Sequence, residues 1–251
     1  MQEEVIGLIP AAGKGVRLGL PYPKELYPII QNNHYKPIAQ YVLDNMTTAG
    51  LEHIVFVVNE TKHQLMGYFG NGQRFGCHIS YVVQEPAINA NSSTSPGLAH
   101  ALDSAYHLIQ HKTVFFGMAD TIMRPKDVFA LALNSASSED DVILALWATE
   151  RPEKFGMVHY DTDGNVRNIV DKPHQTNLTE MWGAIVWRPQ FTEFLHDCVQ
   201  NKYISDFAMI MNNALSSGMK FRAVPMIGGS YIDLGTYEEI MELDQRYRVD
   251  E

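Results

Sequence analysis

Between Val5 and Ile9 the chain is apolar, and at Pro10 the run stops and gives way to Ala11-Ala12-Gly13-Lys14-Gly15. A short apolar run without polar alternation is the pattern of a strand buried on both faces, and such strands belong to parallel sheets covered by helices. Small residues directly after the strand let backbone N–H groups approach an anion closely. The remaining sequence repeats the theme. Pro37, the apolar positions Tyr41, Val42, Leu43 and Met46, and a closing Gly50 predict a helix, and Ile54 to Val58 the next strand. A helix from Lys62 to Phe69, a strand from Ile79 to Val83, a helix from Leu98 to Ile109 and a strand from Val114 to Gly117 continue the alternation. After a helix around Lys126 to Ala136 and a strand from Val142 to Trp147, the pattern changes. Gly156 to Tyr160, a turn at Asp161 to Gly164, and Val166 to Val170 read as a β-hairpin. A strand from Ala184 to Trp187, helices at Phe191 to Val199 and Asp206 to Ser216, a strand from Phe221 to Val224 and a helix after Gly235 complete the pattern.

The expected fold is therefore α/β: a Rossmann-like mixed, mainly parallel sheet flanked by helices, with a smaller β-rich elaboration that carries a second substrate. At 251 residues, with no linker of Ser, Gly and Pro, residues 1–251 are expected to form one domain. The formal net charge of -10 argues against a nucleic-acid or anionic-membrane partner, so any cations that hold phosphates must be local. Two distant cysteines, Cys77 and Cys198, read as core thiols in a reducing compartment. The start of the chain has no basic region and its apolar stretch is short, which points to a cytoplasmic location.

The loop continues to Arg17 and then Pro23-Lys24, two cations beside a possible anion nest. It meets neither the dinucleotide fingerprint, because Leu18 stands where the third glycine belongs, nor the Walker loop, because no Gly-Lys-Ser/Thr follows. Glycine chemistry alone would equally suit a plain tight turn. With its flanking cations, however, the segment resembles the signature loop of the sugar-1-phosphate nucleotidyltransferases, Gly-x-Gly-Thr-Arg followed by Pro-Lys. Val16 replaces the threonine. The short spacing from Arg17 to Lys24 is closer to the cytidylyltransferases that make CDP-methylerythritol.

Later segments resemble the glucose-1-phosphate thymidylyltransferase branch and extend the resemblance across almost the whole chain. The resemblance implies the nucleotide-diphospho-sugar transferase fold. It also implies nucleotide contacts from Ala11, Ala12, Gly13, Lys14, Gly15, Gln84 and Gly97, with a long Asn- and Ser-rich loop from Ala87 to Ser95 between the last two. Asp120, in Gly117-Met118-Ala119-Asp120-Thr121, and Asp233, in Tyr231-Ile232-Asp233-Leu234-Gly235, match the two metal-holding carboxylates, and Mg2+ is the implied ion. Gly156, Asp171, Lys172 and Gly183 match the sugar-phosphate contacts, with Asp171 one methylene shorter than the family's glutamate. Arg17, Lys24, Asp120 and Lys172 are then the catalytic set.

The implied reaction joins a nucleoside triphosphate, dTTP or UTP, to a sugar 1-phosphate and releases pyrophosphate. A CTP-dependent cytidylyltransferase for another phosphorylated alcohol, and a non-catalytic nucleotide-sugar-binding regulator, are the competing expectations. His100 and His107 are expected to serve packing or the helix surface, and a homo-oligomer is compatible with the sequence but not readable from it.

Overall fold

The computed structural model describes residues 4–15, 18–31, 34–85, 97–236, 239–241 and 243. The first strand, β1 (Val5–Pro10), runs into the glycine loop, and a small hairpin of β2 (Pro28–Gln31) and β3 (His34–Pro37) precedes α1 (Ile38–Thr48). The chain then alternates through β4 (His53–Val58), α2 (His63–Phe69), β5 (His78–Val83), α3 (Leu98–Asp103), α4 (Tyr106–Ile109) and β6 (Thr113–Gly117). Next come β7 (Thr121–Arg124), α5 (Val128–Asn134), β8 (Val142–Ala148), β9 (Gly156–Tyr160), β10 (Val166–Asp171) and β11 (Glu180–Trp187). The last elements are α6 (Pro189–Gln200), α7 (Phe207–Ser216), β12 (Phe221–Pro225) and β13 (Ser230–Asp233).

Nine strands form one mixed sheet, ordered β10-β9-β11-β6-β1-β4-β5, with β8 pairing both β11 and β12. The βαβ half is parallel: β1 lies between β4 and β6, and β4 pairs β5. The later half turns antiparallel through β11, which pairs β6, β8 and β9. The chain winds from β1 toward β5 on one side and returns to β6 on the other, so the strand order reverses beside β1. Ligands of open α/β sheets bind in the crevice at such a reversal, beyond the carboxyl ends of the strands.

Alternation along β1 divides its apolar side chains between the two faces of the sheet. Leu8 joins Phe116, Trp187, Phe191 and Phe207 in one buried cluster. Ile9 joins Val42, Phe56, Phe129 and Trp147 in the other. A third, smaller cluster of Leu18, Ile29, Ile38, Ile122, Leu234 and Ile240 lies apart from both. It knits the tail of the glycine loop to the segments that carry the two candidate metal-holding carboxylates.

The sheet is mixed and helix-flanked as expected, and the β9–β10 hairpin forms antiparallel pairs around a turn in which the Gly164 amide bonds to the Asp161 carbonyl at 3.0 Å. Both cysteines are free and buried. Three expectations change. The helix predicted from Leu98 to Ile109 is two helices, because the Ala105 amide bonds back three residues to the Leu102 carbonyl and tightens the turn between them. Pro37 ends β3 and caps α1 rather than opening its first turn. The strand predicted from Ala184 begins at Glu180, and the added residues reach the site. The helix after Gly235 is seen at 239–241 and 243, with the rest of that segment outside the described residues. Among the described residues, no helix is long and apolar enough to cross a membrane.

Candidate active site

The glycine loop leaves β1 under tight backbone control. The Ala11 amide donates to the Val57 carbonyl at 2.7 Å, and the Asn59 side-chain amide donates to the Ala12 carbonyl at 2.7 Å. Beyond these anchors Gly13 and Lys14 are exposed, and Gly15 takes a left-handed φ of 63°. Pro23 leads into a single 3-10 turn, Lys24–Leu26, closed by the Leu26 amide on the Pro23 carbonyl at 2.9 Å. That turn presents two opposite charges. Lys24 forms an ion pair with Asp120, and Glu25 faces the other way into a buried pair with Lys62.

Asp120 lies just past β6 and is 8% exposed. Asp233 ends β13, which pairs with β7 in a separate two-stranded ribbon that sets Asp233 opposite Thr121. The Leu234 amide bonds to the Asp120 carbonyl at 3.0 Å, so the two carboxylate-bearing backbones are tied side by side. Burial, together with the charges of Asp120 and Glu239, pushes the Asp233 carboxyl up to about 7, an increase that Lys24 and Lys154 only partly offset. Burial works to lower the Lys24 pKa, yet the adjacent Asp120 outweighs it and holds the ammonium above its ordinary value. Lys154 pairs with Glu239 at 2.5 Å. Glu239 in turn accepts from the Gly235 and Thr236 amides at 3.0 and 2.9 Å, a capping-box arrangement that fixes the backbone just beyond Asp233.

The Asp233 carboxylate receives no hydrogen bond among the described residues, while its neighbours Asp120 and Glu239 are each paired with a lysine. Two hard oxygen donors with an uncompensated charge between them fit a small divalent cation that takes its remaining ligands from water and phosphate. Among the described residues no cluster of three or more His, Cys, Asp or Glu side chains offers a metal site of another kind.

The residues expected on the sugar side meet this centre through aromatic side chains. A Cβ on Gly156 would collide with the Trp182 indole, and one on Gly183 with the Tyr231 ring. These two glycines therefore make room for aromatics that wall the site. Phe155 meets Tyr231 edge to face at 5.9 Å, two residues from Asp233. Asp171, opposite Gly156 in the hairpin register, and Lys172 are exposed, and neither side chain forms a hydrogen bond or ion pair among the described residues. Lys172 holds a φ of 46°, with its amide on the Phe155 carbonyl at 2.9 Å. A non-glycine residue kept in that region is the kind of local strain that clusters at functional sites.

On the opposite side of β1, Gln84 is 7% exposed, and its amide nitrogen is buried with no hydrogen-bond partner among the described residues. Gly97 precedes α3 with a φ of 90°. Arg17 and the loop from Ala87 to Ser95 lie outside the described residues. The structure thus brings Lys24, Asp120 and Asp233 together, sets the glycine loop and Gln84 beyond the ends of β1 and β5 with β4 between them, and leaves Asp171 and Lys172 at the hairpin rim without contact to the carboxylates. Asn59, Lys62, Glu25, Lys154 and Glu239 went unread in the sequence as parts of the site. The one local signal was the Thr-x-x-Glu spacing from Thr236 to Glu239.

A glycine loop at the topological switch, with a lysine and two converging carboxylates beside it, is the layout of a phosphate-handling α/β protein. The chain belongs to the nucleotidyl transferase family, whose sequence profile matches residues 6–249. It is 25% identical over 251 residues to a low-salt glycan biosynthesis nucleotidyltransferase of Haloferax volcanii, covering 95% of this chain and 65% of that protein. It is 28% identical over 196 residues to a glucose-1-phosphate thymidylyltransferase of Streptomyces griseus, covering 74% of this chain and 50% of that one. The chain thus spans between half and two thirds of the length of these curated relatives. Among solved structures, a UDP-glucose pyrophosphorylase complexed with UDP-glucose superposes with a TM-score of 0.80 at 23% identity, covering 99% of this chain and 100% of the other. The UTP-bound UGPase of Acinetobacter baumannii superposes with a TM-score of 0.74 at 17% identity, over 99% and 94% of the two chains. These superpositions show that the chain shares the fold of those two proteins.

Proposed function

We propose that this chain is a cytoplasmic nucleotidyltransferase, acting as one domain over residues 1–251, that transfers a nucleotidyl group from dTTP or UTP to a sugar 1-phosphate and releases pyrophosphate. The observation that carries the reading is the convergence of Lys24, Asp120 and Asp233 at the strand-order reversal beside the glycine loop. The family match and the names of the curated relatives support the same chemistry.

The attacking group is an oxygen of the sugar phosphate and the electrophile is the α-phosphorus, so two polyanions must meet. Unit charges about 4 Å apart interact by roughly 4 kcal/mol at an effective dielectric of about 20, and cations must offset that repulsion. Lys24 and Arg17 bear on the triphosphate, and Lys172 on the attacking phosphate. In the structure Lys24 neutralises Asp120; with substrates bound, its ammonium turns to a phosphate oxygen. Asp120 and Asp233 would hold Mg2+, which when bound would supply charge stabilisation to the reacting phosphates. No side chain need act as general base, because a phosphate monoester has a second pKa of about 6 and is already largely dianionic at neutral pH. Gln84, with its unspent amide donor, and Gly97 face the base; Asp171, Gly156 and Gly183 line the sugar side.

The test is pyrophosphate release with Mg2+ over a grid of nucleoside triphosphates and sugar 1-phosphates, with phosphorylated alcohols as acceptor controls. Release that needs both a triphosphate and a sugar 1-phosphate is expected. Release only with CTP and a phosphorylated alcohol, or none with folded protein, would overturn the reading.

A further inference from the structure

The deepest charges in the described protein are not those of the candidate metal pair. Glu25 and Lys62 are 1% and 3% exposed, and the Lys62 ammonium donates to both Glu25 carboxylate oxygens at 2.9 and 2.7 Å. Burying such a pair removes two charges from water, and well-packed apolar residues often serve stability as well or better. Stability alone therefore does not account for the pair, and its position offers a role. Lys62 stands at the N-terminal end of α2, in the turn 59–62 that follows β4, where its amide bonds to the Asn59 carbonyl at 3.1 Å. Asn59 opens the same turn. Its carboxamide oxygen accepts from the Thr61 amide at 2.9 Å and hydroxyl at 2.7 Å, which orients the amide nitrogen onto the Ala12 carbonyl at 2.7 Å.

One four-residue turn thus grips both limbs of the anion site. Asn59 holds the glycine loop. Lys62 holds Glu25, and Glu25 shares a single 3-10 turn with Lys24. Because the turn is closed by backbone hydrogen bonds at both Leu26 and Tyr27, a shift of Glu25 carries Lys24 with it. Lys24 is in this way pulled toward Asp120 on one side and anchored through Glu25 on the other.

We propose that the turn 59–62 is the positioning platform of the site: Asn59 sets the glycine loop, and Lys62, acting through Glu25, sets the Lys24 ammonium against Asp120. The proposal rests on the nucleotidyltransferase reading for its effect on turnover but not for its effect on Lys24 itself. Neither Asn59 nor Lys62 touches a reacting atom in this scheme.

The experiment compares Lys62→Arg, which keeps the charge, with the paired variant Glu25→Met/Lys62→Met, which replaces the ion pair by two unbranched apolar chains so that no lone charge is left buried. Lys220→Met, at the exposed Glu139 pair, is the surface control. Two readouts are taken on protein whose melting temperature matches the wild type. One is the rate at which an amine reagent modifies Lys24, followed by peptide mass spectrometry; the other is turnover. In the paired variant Lys24 is expected to be modified severalfold faster. Its kcat is expected to fall about 100-fold, the scale of an ångström misplacement, with KM for the sugar phosphate unchanged. Lys62→Arg should restore most of both, and Lys220→Met should change neither. If the paired variant folds and Lys24 is modified at the wild-type rate, the platform proposal is wrong. If the wild type shows no turnover on any substrate tested, the labelling result decides the proposal alone, so its failure is distinguishable from failure of the functional reading. Should the paired variant not fold, Asn59→Asp, which removes the donor to Ala12 at nearly constant volume, provides the second variant. It is expected to raise KM for the triphosphate, and an unchanged KM would overturn the Asn59 half of the proposal.

Discussion

Asp233 gives the sharpest test of how this site trades stability for chemistry. Its carboxyl is raised from 3.8 to about 7 by burial and by the charges of Asp120 and Glu239. At 1.36 kcal/mol per unit, holding it ionised in the metal-free fold costs on the order of 4 kcal/mol. The sign follows from linkage. The unfolded chain gives up this proton near 3.8 and the folded chain near 7. The stabilising contribution is therefore fully present below 3.8, falls as pH rises, and is gone above about 7. Asp233→Asn does not titrate and should escape that loss. In EDTA, the variant should be more stable than the wild type, by a margin that widens by about 2.5 kcal/mol from pH 5 to pH 8 and then levels off. Urea denaturation followed by tryptophan fluorescence measures the margin. Mg2+ added at pH 8 should stabilise the wild type by mass action and leave the variant where it was, while nucleotidyl transfer by the variant falls by orders of magnitude. A margin that is flat with pH, or a variant less stable than the wild type at pH 8, would refute the claim that Asp233 is an under-compensated, half-buried charge.

Further outcomes follow from the surrounding geometry. Lys172→Ala should raise KM for the sugar phosphate severalfold and leave KM for the triphosphate near its wild-type value in steady-state kinetics. Gly183→Ala places a methyl group where the Tyr231 ring and Trp147 already lie; it should cost about 1–3 kcal/mol in thermal denaturation and lower turnover by shifting β13. Asp161 is held down to about 2 by hydrogen bonds from Asn165, assisted by Arg167, after burial is overcome. Its support of the hairpin turn is therefore present above 3.8 and lost as pH falls toward 2. Asp161→Ala should flatten that part of the acid-denaturation curve followed by circular dichroism.

The parts of the fold that were legible are those written locally. The apolar run at Val5, the glycine loop, the helix closed by Gly50 and the hairpin around Asp161 to Gly164 each carry their signal within a dozen residues, and each forms. The resemblance located Asp120 and Asp233, and the structure brings them together. What escaped is nonlocal. The strands β7 and β13 have four residues each, too few for a periodic pattern, and they pair across more than a hundred intervening positions. The hairpin of β2 and β3 is equally short. The break between α3 and α4 was hidden because Ala101, Leu102, Ala105 and Ile109 keep an apolar, helix-like spacing across it. Glu25 and Lys62 escaped for a different reason. Charged residues are read as solvent-facing by default, and only the folded chain reveals that two of them, 37 positions apart, neutralise each other in the interior.

The ribbon that joins β7 to β13 also hangs the carboxylate pair on a short, separate ladder. All nine strands of the main sheet lie between Val5 and Pro225, whereas Asp233 comes from a four-residue strand outside that sheet, paired with β7. Local opening of so short a ribbon would part Asp233 from Asp120 while the main sheet keeps its own ladders, and openings of this kind cost less than global unfolding. The pair is thus a sub-global feature of the fold, able to come apart and re-form without the sheet.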